Sequence, residues 1–184
     1  RPATAAADAA AREAKARNYF TDTVLQAQDG RSLRFYSDVL KDQVVLVNFV
    51  FTECGDSCPL ITHKLLQARQ SLGPQARNVR YVSITIDPER ETPQTMAAFA
   101  RKHGAVDPQW LWLSGSKANI ELVTKRLGAH TDTREEHFTG LIVGNLRTDR
   151  WVKIRPDAPP QAIAVQLRRV GELDGPPAAA ARAP

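Results

Sequence analysis

Val44-Val45-Leu46-Val47-Asn48-Phe49-Val50-Phe51 runs straight into Thr52-Glu53-Cys54-Gly55-Asp56-Ser57-Cys58-Pro59, and Leu60-Ile61-Thr62-His63-Lys64-Leu65-Leu66 follows. The first run is apolar almost throughout, which predicts a strand buried on both faces, in the middle of a sheet covered by helices. The last run has helical spacing, and Pro59 suits a first helical position, where its missing N–H costs nothing. The chain's only two cysteines, Cys54 and Cys58, therefore sit on a strand-to-helix turn. A bridge between them would close a very short loop and remove little unfolded-chain entropy. Thiols in such a place point to redox chemistry or metal binding rather than to structural stapling.

Outward from that turn, strand and helix patterns alternate. Before it, Val24-Leu25-Gln26-Ala27-Gln28 and Ser32-Leu33-Arg34-Phe35 flank Asp29-Gly30, a hairpin signal. After it, the helix from Pro59 runs to about Leu72 and is closed by Gly73-Pro74. Strands are predicted at Val79–Ile86, Trp110–Leu113, Leu141–Val143 and Trp151–Ile154. Helices are predicted from Pro93, capped by Thr92, from Ser116 to Leu127, and from Pro160 to Val170. This order gives an α/β domain with helices on both faces of a central sheet. The closing β-β-α unit, together with a thiol motif after a central strand, makes the arrangement thioredoxin-like. Residues 18–172 form that domain. Residues 1–17, rich in alanine with scattered charges, read as a linker or frayed helix. The Pro/Ala-rich stretch 173–184 reads as a disordered tail.

Bulk properties exclude several classes. The chain has 184 residues, of which 42% are hydrophobic and 24% charged, as in a soluble globular domain. No apolar run approaches the ~18–20 residues that span a bilayer. With no initiating methionine, an upstream signal or membrane tether before residue 1 is left open. The net charge of +5 raises nucleic acid as a ligand. The arginines are scattered among acids, with no dense basic run beside stacking aromatics, so nucleic acid is excluded as a partner.

Four stretches together carry a resemblance. Phe51-Thr52-Glu53-Cys54-Gly55-Asp56-Ser57-Cys58-Pro59 is similar to the Thr-x-Cys-Pro-Asp-x-Cys-Pro run of the SCO/SenC proteins. Val82-Ser83-Ile84-Thr85-Ile86-Asp87-Pro88-Glu89-Arg90-Glu91-Thr92-Pro93 is similar to that family's Ser-x-Asp-Pro-x-Arg-Asp-Thr-Pro run with a small shift in spacing. Trp110-Leu111-Trp112-Leu113-Ser114-Gly115, and Glu136-His137 before a late strand, complete the likeness. Gly55 stands where the family usually has Pro, Glu136 where it has Asp, Phe138 where it has a hydroxyl residue, and Glu91 where it has Asp. The resemblance implies a thioredoxin fold and a copper metallochaperone that assists assembly of the dinuclear copper centre of cytochrome c oxidase. It also implies a metal site of Cys54, Cys58 and His137 and a periplasmic setting, with a membrane anchor in the full-length protein left open; the chain is expected to be a monomer. The partner it implies is an apo-oxidase subunit carrying the copper centre, or another copper-transfer protein.

The residue types suit that chemistry. Copper(I) is soft and takes thiolate and imidazole ligands; Cu(II) is left open. Cys58 at a helix start has the positive end of the helix dipole favouring its thiolate. Zinc on two Cys and one His would want a fourth ligand, and none is obvious. His63, five residues past Cys58, falls on another helical face. His103 reads as a helix-end residue whose positive charge would suit the dipole. His130 lies in the polar stretch before His137. Asp56 reads as a loop-shaping residue, Glu136 as an orienting partner for His137 or a solvated acid, and Arg90 as a partner of Asp87 or Glu91. The competing function is a thiol–disulfide oxidoreductase, in which Cys54 attacks a target disulfide and Cys58 resolves it, keeping the copper-site cysteines of a target reduced. A peroxidase would need a peroxide-activating Thr/Arg set that the spacing does not supply.

Overall fold

A computed structural model describes residues 2–51, 53, 57–130 and 139–173. The expected central strand is β3, Val44–Val50, with every residue buried. It pairs in parallel with β4, Val79–Thr85, from Val44 opposite Val79 to Val50 opposite Thr85. Next to β4, again parallel, lies β5, Trp110–Ser114. On its other side β3 meets β6, Leu141–Asn145, antiparallel, with Val47 opposite Ile142. β6 in turn pairs antiparallel with β7, Arg150–Ile154.

The predicted hairpin is also present. β1, Val24–Ala27, and β2, Ser32–Arg34, are antiparallel, with Leu25 opposite Leu33. Gly30 turns the chain at φ +85°, a conformation that favours glycine, while Asp29 Oδ1 accepts from the Arg31 amide. β1 reaches β5 through two register pairs, Gln26 with Ser114 and Ala27 with Leu113. The Gln28 side-chain amide extends that short ladder. It donates to the Trp110 carbonyl and accepts from the Trp112 amide, both at 3.0 Å. The resulting sheet has the order β2-β1-β5-β4-β3-β6-β7.

Alternation along the strands divides the core into two layers. Val44, Leu46 and Val50 face one side. There they pack with α2 (Ser57–Leu72), α3 (Pro93–Lys102) and α5 (Pro160–Gly171) through residues such as Leu65, Phe99, Ile163 and Leu167. Val45, Val47 and Phe49 face the other side. Their partners include Phe20 of α1 (Pro2–Phe20) and Ile120 and Val123 of α4 (Lys117–Arg126). Trp110 and Trp112 stack at 5.4 Å inside the first layer. Opposite Trp151 in the β6–β7 ladder stands Gly144, where an added Cβ would lie 2.4 Å from the indole. The close approach of that ring is the reason for the glycine. No helix among the described residues is long and apolar enough to cross a membrane.

Two local features depart from the sequence reading. α2 begins at Ser57, so Cys58 lies inside its first turn instead of before it, and Pro59 follows it within that turn. Between β2 and β3, Phe35–Leu40 form a six-residue π-type turn that buries Phe35, Tyr36, Val39 and Leu40. The expected tail falls almost wholly on residues 174–184, outside the described residues.

Candidate metal centre

The site is built at the carboxyl end of β3, the edge where ligands bind in open α/β sheets. Cys58 is 4% exposed. Its backbone carbonyl accepts from Thr62 Oγ1 at 2.8 Å, a bond that stiffens the first turn of α2. The Cys58 side chain is disulfide-bonded. Beside it opens a cavity of about 260 Å³. α2 lines it with Cys58, Ile61 and Lys64, and β3 with Asn48 and Phe49; Thr139 and Pro156 close it. Lys64 Nζ donates to the Pro156 carbonyl at 2.6 Å and ties α2 to the loop after β7.

The β3–β6 register explains why Thr139 is there. Because β6 runs antiparallel to β3 with Ile142 opposite Val47, the chain enters β6 beside the end of β3 that leads to the cysteines. Cys54, Asp56, Glu136 and His137 lie outside the described residues. Of the expected ligands, Cys58 is therefore the one whose surroundings are visible. Among the described residues no group of three or more His, Cys, Asp and Glu side chains converges on a metal position.

The other histidines stand apart from this cavity. His63 is exposed on α2, and its ring meets that of His103 edge-on at 5.7 Å. His103 occupies the C-cap of α3, 4.4 Å from the Phe99 ring. Partial burial, then the neighbouring His63 and Lys102 charges, lower the His103 pKa. The dipole-favoured cation expected there is thus opposed by its surroundings. His130 is exposed.

Arg90 also differs from expectation. Its ion pair is with Glu53 at 3.9 Å, and both side chains are largely in solvent (64% and 69%). At that exposure and distance the pair contributes little. The link to Asp87 runs through the backbone, from the Arg90 amide to the Asp87 carbonyl at 3.2 Å.

Asn48 is a buried polar residue of the cavity wall that the sequence reading passed over. It is 3% exposed. Its Oδ1 lies 2.6 Å from Ser83 Oγ, which in turn is 3.0 Å from Trp110 Nε1. The signal available in the sequence was a single amide inside an otherwise apolar strand.

Comparison with known proteins agrees with this architecture. The SCO1 protein homolog of Bacillus subtilis is 33% identical over 97 residues, covering 52% of this chain and 49% of that protein. The chain thus spans about half the length of this relative. Among solved structures, ScoI of Bradyrhizobium japonicum, described with copper bound, superposes with a TM-score of 0.66 at 27% identity. That alignment covers 80% of this chain and 96% of the other. BsSco, described as having a disulfide switch and as a member of the Sco family of cytochrome c oxidase assembly proteins, gives a TM-score of 0.68 at 24% identity. It covers 82% of this chain and 92% of that one, and shares the thioredoxin-like fold. The SCO1/SenC family pattern matches residues 12–144, from α1 through β3, the cysteine turn and most of β6. With its fold and its sequence in agreement over that length, the chain belongs to the SCO1/SenC family.

Proposed function

We propose that this protein carries one copper ion as cargo on Cys54, Cys58 and His137 and delivers it to the copper centre of a respiratory oxidase. The observation that supports the reading is the cavity shared by Cys58 and Thr139. His137 is two residues before Thr139, and two residues span at most about 7 Å. A thiol in the first turn of a helix, with an imidazole supplied by the segment that leads to Thr139, makes the mixed soft donor set that Cu(I) takes. The copper-bound state of the Bradyrhizobium japonicum relative supports the same cargo.

The recipient is an apo-oxidase subunit carrying the copper centre, or another copper-transfer protein, and the ion passes by ligand exchange. The chain acts as a monomer in the periplasm, anchored to the membrane in the full-length protein. A disulfide at Cys58 suits an oxidising compartment of that kind.

Copper titration of the reduced protein beside His137→Ala tests this. The wild type should take up one copper per chain. The variant should lose about 100-fold or more in affinity, beyond the 10–100-fold that groups behind a ligand carry. Absence of stoichiometric copper in the loaded wild type, or equal affinity in the variant, would overturn the reading.

The disulfide at Cys58 also favours a second activity on the same cysteines. The chain's one other cysteine is Cys54. As a thiol–disulfide oxidoreductase, the reduced pair would pass two electrons to a target's disulfide and itself close to a disulfide. That activity requires reduction of a test disulfide faster than by glutathione at equal thiol concentration, and it does not require His137.

A further inference from the structure

Asn48 has a hydrogen-bonding surplus that the metal site does not use. Tryptophan Nε1 can only donate, so Trp110 donates to Ser83 Oγ. Ser83 then has one hydrogen to give, and it goes to Asn48 Oδ1, 2.6 Å away. This relay fixes which way the Asn48 amide faces. Its oxygen is bound toward β4, and its Nδ2 turns away from that pair. There Nδ2 is buried and has no hydrogen-bond partner among the described residues. A buried donor left unsatisfied costs about 1–3 kcal/mol, so natural proteins keep few of them, and a redox or catalytic role is one reason to keep one. Asn48 lines the same 260 Å³ cavity as the sulfur-bearing residue Cys58.

We propose that Asn48 is a positioning residue for the cysteine pair: its Nδ2 donates to the Cys58 sulfur once the disulfide is opened, and so favours the reduced form. Opening takes two electrons. A dithiol such as dithiothreitol supplies them, leaving as its cyclic disulfide, and its two protons pass to the freed sulfurs or to buffer. In the disulfide the Cys58 sulfur is a weak acceptor. It is also held in place by its bond to a second sulfur, whereas once that bond opens the side chain is free to rotate and turn its lone pairs to the donor. The donor thus finds its partner in one redox state and is orphaned in the other. Reduction exchanges a covalent bond for a satisfied amide. The Trp110–Ser83 relay matters because it stops the amide from turning its oxygen, which has no hydrogen to donate, toward the cavity.

The test is the equilibrium of the wild type, Asn48→Leu and Asn48→Ala with dithiothreitol at pH 7.5, without metal. Unfolding of the oxidised and reduced forms of each is measured alongside. Leu keeps the volume and removes the donor; Ala serves if Leu does not fold. The dithiol/disulfide equilibrium of the variants should move about tenfold toward the disulfide, equivalent to about 30 mV for a two-electron couple. The reduced form should lose more stability than the oxidised form. An unchanged potential, with both forms destabilised equally, would assign Asn48 to packing and overturn the proposal. The inference shares the cysteine pair with the copper reading and uses no copper. Failure of copper uptake and failure of this shift are therefore separate results.

Discussion

His103 shows how one side chain can make stability depend on pH. It is packed against Phe99 and His63 at the end of α3, and its pKa is lowered first by burial and then by the His63 and Lys102 charges. In the unfolded chain a histidine titrates near pH 6.5. Below about pH 6.5 the unfolded chain takes up a proton that the folded one resists, so protonation favours unfolding. The contribution is intact above the unfolded value and is lost as pH falls through the lower folded value. Urea midpoints measured from pH 8 to pH 5 should therefore fall more steeply for the wild type than for His103→Gln. Parallel curves would mean that the ring titrates alike in both states. At the same scale Cys58 was legible from its place on a strand-to-helix turn. Asn48 was not, because a lone amide in an apolar strand reads as a tolerated exception. Its role depends on Ser83 and Trp110, which only the sheet brings to it.

Among the elements, α3 has the clearest local beginning. Thr92 Oγ1 accepts from the Thr95 amide at 3.2 Å, and Thr95 Oγ1 accepts from the Thr92 amide at 3.0 Å, a reciprocal cap with Pro93 at the first helical position. Thr92→Ala should cost about 1 kcal/mol, with Thr92→Asp recovering most of it, as read by urea denaturation. The Thr-Pro pair made this start readable from sequence. So did the uninterrupted apolar run of β3 and the Asp29-Gly30 turn of the hairpin, because each signal is local. The π-type turn at Phe35–Leu40 has no such punctuation. Its buried Phe, Tyr, Val and Leu answer to the second core layer rather than to a backbone preference. The β1–β5 junction was equally hidden. It rests on two register pairs and the Gln28 amide, contacts between residues more than 80 positions apart. The two-residue shift in the start of α2, from Pro59 to Ser57, is the ordinary uncertainty of a helix end.

For the molecule as a whole, the proposed copper binding ties ligand to stability. A ligand that binds only the native chain stabilises it by about 2.7 kcal/mol at a free concentration of 100 Kd. In a domain of this size 1 kcal/mol moves Tm by about 2–4 °C. Reduced protein loaded with copper to that level should therefore melt about 5–10 °C higher in calorimetry, and an unchanged Tm would contradict binding of copper to the native state. The layered α/β plan that makes this site was legible from the alternation of strand and helix patterns. The order of strands was less so, since which strands become neighbours is decided by tertiary packing.

The antiparallel return of β6 alongside β3 has a consequence in time. Thr139 closes the cavity over Cys58, yet it lies about 80 residues later in the chain. At a synthesis rate of about 5–20 residues per second, the ribosome makes the cysteine turn roughly 4–16 s before it makes the segment that walls it in. By then five of the seven strands, β1 to β5, have been made. The wall over Cys58 is therefore a late feature of the chain, completed only as the last two strands are added.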